Sequence, residues 1–294
     1  MKIFLSVSRF HIVTIAALGT FTFGWLLLGE YPWLLAVVSA LDWFIVNLLN
    51  RVVDLPEDQA NRIVGTSFVQ RHQASLKWSG FTLLLGSLIG VYFLLPEITL
   101  FRLLYHCLGL SYNWPLLPGN RRIKQLYFWK NTASATGFLL TLFCYPLAIV
   151  YGKGNGWNFP PGITLWTVML TALFFFLFEI SYEVIYDLRD QEGDRLAGIE
   201  TYPVVHGEQG AIYIIDFLLG ASFLVLVIGY LTGPVPWRIF IMGAAPVIQM
   251  VIYKYWLRRC ITTEDCIYLT WLGAGLLLVY HVWYLAGLPG SGLS

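Results

Sequence analysis

The chain alternates between apolar runs about as long as a membrane span and short polar turns. Runs over 10–28, 32–50, 78–95, 98–113, 132–151, 162–186, 211–232, 236–257 and 266–287 each approach the roughly 20 residues that a helix needs to cross bilayer hydrocarbon. The spacing predicts about nine transmembrane helices, of which 98–113 is short and contains Arg102 and His106. Turn residues mark one set of connections: Glu30-Tyr31-Pro32, Leu95-Pro96-Glu97, the stretch Lys153 to Pro161, and Thr232 to Pro236. The other connections are longer and hold nearly all the ionisable groups. No soluble domain fits between the spans, so the expected fold is all-α: one polytopic membrane domain over 1–294, its helices bundled around a central cavity. The first run lacks a small-residue cleavage site and leads straight into the second, so it reads as a retained helix.

Composition sharpens this picture. Hydrophobic residues make up 57 % of the chain and charged residues 12 %, with a mean hydropathy of +0.67. Soluble domains carry about 25 % charge, so this is an integral membrane protein. A net charge of +1 gives no reason to expect a nucleic-acid partner. If the N-terminus and alternate loops face the cytoplasm, 15 of the 18 lysines and arginines fall on that side, and only Arg102, Lys153 and Arg238 fall opposite. The positive-inside rule then fixes the orientation, in a bacterial or archaeal cell membrane. Cys107, Cys144, Cys260 and Cys266 have no metal-binding spacing and read as free thiols.

Two acid-rich helix ends land on that same side. The first carries Asn50, Asp54 and Asp58 at four-residue intervals, with Asn47 one step earlier, and Pro56 ends or kinks the helix near Leu55. The second carries Glu183, Asp187, Asp190 and Asp194, with Glu179 one turn deeper. Residues three and four apart share a helix face, so each set forms an acidic stripe. Each carboxylate at the bilayer centre costs roughly 2.5–3.5 kcal/mol, so these stripes must meet water or cations. Clustered oxygen donors suit a hard divalent cation that brings a phosphate with it, which points to a magnesium–diphosphate site at the membrane surface. The structural alternative is a solvated helix end with salt bridges to Arg189 and Arg195. Glu57 reads as a solvated neighbour of the first set, and Glu57 and Glu192 lie off the ligand faces. A third segment runs from Tyr112 through Arg121, Arg122 and Lys124 to Lys130-Asn131. Arg121 and Arg122 fit ordinary positive-inside charge, whereas Lys124 and Lys130 are candidates to stabilise a departing diphosphate.

These motifs resemble those of the UbiA superfamily of intramembrane prenyltransferases, marked by Asn-x-x-x-Asp-x-x-x-Asp after the second helix and Asp-x-x-x-Asp after the sixth. Asn50, Asp54 and Asp58 match the first, Asp190 and Asp194 the second, and Asn61-Arg62 the pair that commonly follows the first. Gly198, Thr201, Pro203 and Gly207 fit the run that follows the second, and Tyr112, Lys124 and Lys130-Asn131 resemble the intervening basic segment. Ile63-Val64-Gly65-Thr66 in place of proline-rich sequence, and His206 in place of an aliphatic residue, depart from the usual pattern.

The resemblance implies a prenyltransferase that uses Mg2+, an isoprenyl diphosphate donor and a lipophilic acceptor in the membrane. It implies that Asp54, Asp58, Asp190 and Asp194 are catalytic metal ligands, with Asn50 and Asp187 assisting, and that Asn50, Arg62, Tyr112, Lys124, Lys130 and Asp187 contact substrate. Tyr112, Phe174, Phe175, Phe178 and Tyr182 are candidate walls for a dry pocket that shields an allylic cation. The same metal site would serve an intramembrane class I terpene cyclase, which needs no acceptor. An ion-coupled transporter fits less well, because its acids belong near the midplane.

Overall fold

The structure, a computed structural model, describes residues 2–60, 63–154 and 156–287. Twelve helices are used below: α1 (Lys2–Val7), α2 (Phe10–Leu28), α3 (Trp33–Val53), α4 (Leu55–Ala60), α5 (Thr66–Arg71), α6 (Gln73–Leu94), α7 (Thr99–Asn113), α8 (Trp129–Gly152), α9 (Leu165–Leu196), α10 (Tyr202–Leu231), α11 (Trp237–Leu257) and α12 (Thr263–Leu285). Eight of them, α2, α3, α6 and α8 to α12, are long and apolar enough to span a bilayer. The expected ninth, α7, forms but has only 15 residues. At 1.5 Å per residue it covers about 22 Å, short of the hydrocarbon thickness.

The long helices close into a ring. Helix α2 packs on α3 and α12, α3 on α6 and α7, α8 on α7 and α9, α9 lengthwise on α10, and α11 on both α10 and α12. Large apolar side chains such as Phe93, Phe217, Leu231 and Leu285 stand exposed on the outside, as a lipid-facing surface requires. Inside, Trp43 stacks on Phe138 with ring centroids 4.0 Å apart and donates its indole N–H to Thr141 at 3.1 Å. Thr141 lies in a π-turn over Leu140–Cys144 within α8, directly before Pro146, whose ring cannot accept a regular α-helical register.

Arg102, counted from the sequence on the side opposite the acidic motifs, is buried inside the bundle. Its guanidinium grips Asp42 of α3 at 2.5 and 3.0 Å and donates to the Ser87 carbonyl of α6 at 2.9 Å. Asp42 also accepts from the Tyr145 hydroxyl at 2.8 Å and lies 3.0 Å from His106 Nε2. The cluster pins α3, α6, α7 and α8 together. It also explains how a short helix bearing Arg102 and His106 sits within a membrane bundle: every charge has a partner.

Candidate active site

The first acidic set owes its shape to a break in the chain. Helix α3 stops at Val53, with Asp54 as its C-cap donating N–H to the Asn50 carbonyl at 2.8 Å. Pro56 sits in the first turn of α4, where its missing N–H costs nothing, and α4 carries Glu57 and Asp58. Asn50 Nδ2 donates to Asp54 Oδ2 at 2.5 Å and to Asn113 Oδ1 at 2.6 Å. Asp58 accepts from Arg51 at 2.8 Å, and Arg51 in turn donates to the Ser6 carbonyl at 2.9 Å, tying α1 over the site. Asn61 and Arg62, the pair that follows the motif, lie outside the described residues.

The second set, Glu183 to Asp194, lies on the last four turns of α9. Just past Leu196 the chain turns at Gly198, which has φ of +66°, a conformation that suits glycine because it has no Cβ. The Ile199 N–H then closes back on the Asp194 carbonyl at 2.9 Å. Lys130 at the start of α8 bridges the stripe, donating to Asp187 Oδ1 at 2.7 Å and Asp194 Oδ2 at 2.9 Å. Asn131 donates to the other Asp187 oxygen at 2.8 Å, and Ser134 donates to Glu183 at 2.6 Å. Asp190 pairs with Arg189, so that part of the salt-bridge alternative is realised, whereas Arg195 pairs with exposed Glu192 away from the site.

One cavity of about 770 Å3 joins the two sets. Asn50, Asp54, Asp58, Tyr112, Lys124, Lys130, Asp187, Asp190 and Asp194 all line it. So do the five aromatic residues proposed as walls from the sequence, together with Trp43, Tyr105 and Phe138. The polar end thus continues into an apolar chamber between the helices. Lys124 in the α7–α8 connection is buried, and its ammonium reaches Asp54 Oδ1 at 2.5 Å and also Glu57. Arg122 stands behind both acids, 3.3 Å from Asp54 and 2.8 Å from Glu57. Burial pushes the Asp54 carboxyl above the ordinary carboxylate range despite Lys124. At Glu57 burial also raises the pKa, but Lys124 and Arg122 outweigh it and hold the carboxyl below the usual range.

Several of these partners escaped the sequence reading. Glu57 is not a free surface acid but a shared anchor for Lys124 and Arg122. Arg9 and His11, at the start of α2, line the cavity, and Arg9 reaches Asn47 Oδ1 at 3.4 Å. Asn113 and Asn131 sit next to Tyr112 and Lys130 in sequence, and that adjacency was the signal available for them.

The donor set fits a hard cation. Asn50 Oδ1 is a buried acceptor with no hydrogen-bond partner among the described residues, beside the Asp54 carboxylate and on the cavity wall. Among the described residues no three carboxylates, histidines or cysteines converge tightly enough to cage a metal alone.

The profile of the UbiA prenyltransferase family matches residues 13–273. The chain is similar to a UbiA homologue from Archaeoglobus fulgidus bound to DMAPP and Mg2+, with a TM-score of 0.70 and 15 % identity over 95 % of this chain and 97 % of that one. The homologue bound to GPP and Mg2+ gives 0.69 and 15 %, covering 95 % and 98 %. At such identities the likeness speaks for the fold. A digeranylgeranylglyceryl phosphate synthase from Methanopyrus kandleri is 26 % identical over 134 residues, 45 % of this chain and 47 % of that protein. The match therefore spans about half the length of that relative. With the profile matched over most of its length and the same fold throughout, the chain belongs to the UbiA prenyltransferase family.

Proposed function

We propose that this protein transfers an isoprenyl group from an isoprenyl diphosphate to a lipophilic acceptor within the membrane, in a magnesium-dependent reaction. The observation that carries this reading is the single cavity in which two acidic motifs open into an aromatic-lined apolar chamber. A diphosphate with a hydrocarbon tail needs such a polar head site joined to a dry tunnel. The ligands of the Archaeoglobus fulgidus homologue, DMAPP or GPP with Mg2+, are of this class.

Asp54, Asp58, Asp190 and Asp194 would hold the cation, with Asn50 and Asp187 beside them. Bound there, magnesium supplies Lewis-acid stabilisation of the diphosphate leaving group. Lys124 and Lys130, already aimed at these carboxylates, would turn their ammonium donors to diphosphate oxygens, with Arg62 and Tyr112 adding contacts. The aromatic walls exclude water and offer ring faces to the allylic cation. The distribution of lysine and arginine supports an active site facing the cytoplasm.

The test is product analysis with purified protein, donors from dimethylallyl to geranylgeranyl diphosphate, and hydroxyaromatic or glyceryl-ether acceptors, in magnesium or in chelator. The expected result is an alkylated acceptor in magnesium only. A hydrocarbon or terpene alcohol formed from donor alone would instead establish a cyclase.

A further inference from the structure

Glu179 lies on α9 one turn deeper into the bundle than Glu183 and two turns deeper than Asp187. Its residue is only 7 % exposed, and it lines the cavity. It has no hydrogen-bond or ion-pair partner among the described residues, while the polar groups around it are committed elsewhere. Glu183 takes the Ser134 hydroxyl at 2.6 Å. Tyr182 bonds to Thr270 and lies 3.1 Å from the Tyr186 hydroxyl. Ser181 donates to the Phe178 carbonyl at 2.6 Å and accepts from Gln249 at 3.1 Å. Phe174, Phe175 and Phe178, within five residues of it on the same helix, also line the cavity.

A carboxyl walled by phenylalanine is costly unless something donates to it. The cation is not that partner. Eight residues of helix separate Glu179 from Asp187, about 12 Å of rise, and a magnesium–oxygen bond spans only about 2.1 Å. The isoprenyl tail is not that partner either, since it is hydrocarbon with no donor to offer. Of the reactants, only the acceptor can supply a hydroxyl at this depth.

We propose that Glu179 docks the acceptor by accepting a hydrogen bond from a hydroxyl group on an otherwise apolar molecule, and so selects hydroxylated acceptors over their ethers. The inference rests on the prenyl-transfer reading of the same cavity, and it concerns specificity rather than the chemical step. Glu183, one turn nearer the acidic cluster, leaves the intervening length of about 6 Å for the body of the acceptor.

The experiment uses the full chain in lipid nanodiscs and two probes of similar shape, 1-naphthol and 1-methoxynaphthalene, with affinities corrected for partition into the lipid. The wild type is expected to bind the naphthol about tenfold more tightly, the worth of one net hydrogen bond to a carboxyl. Glu179→Leu should bring the two probes within about twofold, and Glu179→Gln, which keeps an acceptor oxygen, should retain most of the preference. Calorimetric affinity for geranyl thiolodiphosphate with magnesium should stay unchanged in both variants. A wild type that does not distinguish the probes, or a Glu179→Leu protein that still does, overturns the proposal, as does a loss of donor affinity in Glu179→Leu. Probe binding is read without metal or donor, so a failure of the prenyl-transfer reading would show separately, as absent turnover with probe selectivity intact.

Discussion

Lys124 and Lys130 show how each acidic set is balanced. Each ammonium bridges two carboxylates of one set, so the repulsion between them is offset by a shared cation. Removing one partner of such a buried pair leaves the other uncompensated, at a cost of about 3–5 kcal/mol. Lys130→Met is therefore expected to lower thermal stability in detergent as well as donor affinity, by a scan and a titration on the same sample. Replacing Asp54, Asp58, Asp190 or Asp194 with Ala should reduce turnover by a factor on the order of 100 or more, the range for deleting one electrostatic contact to a developing charge. Membrane insertion and expression should be retained, because Lys124 keeps Glu57 and Lys130 keeps Asp187 as a partner when Asp54 or Asp194 is removed. Glu192→Ala should behave as wild type, since its partner among the described residues is the exposed Arg195. Glu57→Ala should lose donor affinity several-fold, because Lys124 and Arg122 both lean on it. Sequence spacing places Asp54 and Asp58 on one face but says nothing about which cation approaches from 70 residues away. For that reason Glu57 reads as solvated from the sequence alone.

At the scale of elements, the apolar spans and the Pro56 break were legible, whereas charged stretches of helix and lone buried charges were not. The expected span 10–28 coincides with α2, and Pro56 marks the break between α3 and α4 as its chemistry requires. The second acidic helix, by contrast, runs ten residues past the expected end at 186, because its last three turns are polar and a hydropathy reading stops at the first charges. The same bias hid Asp42, a lone acid in an apolar helix whose partners Arg102, His106 and Tyr145 come from two other elements. Asp42→Ala is expected to destabilise the protein by about 3–5 kcal/mol through the unpaired Arg102, seen as a lowered midpoint of thermal unfolding in detergent. Turn chemistry offers a second check. Gly198→Val forces a β-branched residue into a left-handed conformation, at a cost of roughly 1–2 kcal/mol. Because this turn closes on the Asp194 carbonyl, donor affinity should fall with stability.

For the whole molecule, the ring of helices brings together groups that lie about 130 residues apart in sequence, and it does so at one end of the bundle. The ends of α2, α3, α8 and α9 that carry the basic residues all contribute to the cavity. Alternating spans already imply that both acidic motifs share a membrane face. That α12 returns to pack on α2 and closes the chamber follows from tertiary packing, which hydropathy does not encode. The orientation can be read directly: in a cysteine-free background, cysteine at Glu192 should react with an impermeant maleimide from the cytoplasmic side, and cysteine at Trp157 from the other.

The central claim is that the two motifs form one metal-dependent diphosphate site. Calorimetric titration of the protein in nanodiscs with geranyl thiolodiphosphate, an inert donor analogue, tests it most directly. Binding is expected in magnesium, is expected to vanish in chelator, and should be lost equally in Asp54→Ala and Asp190→Ala. Binding that persists in chelator, or that survives the loss of either motif, would contradict the account.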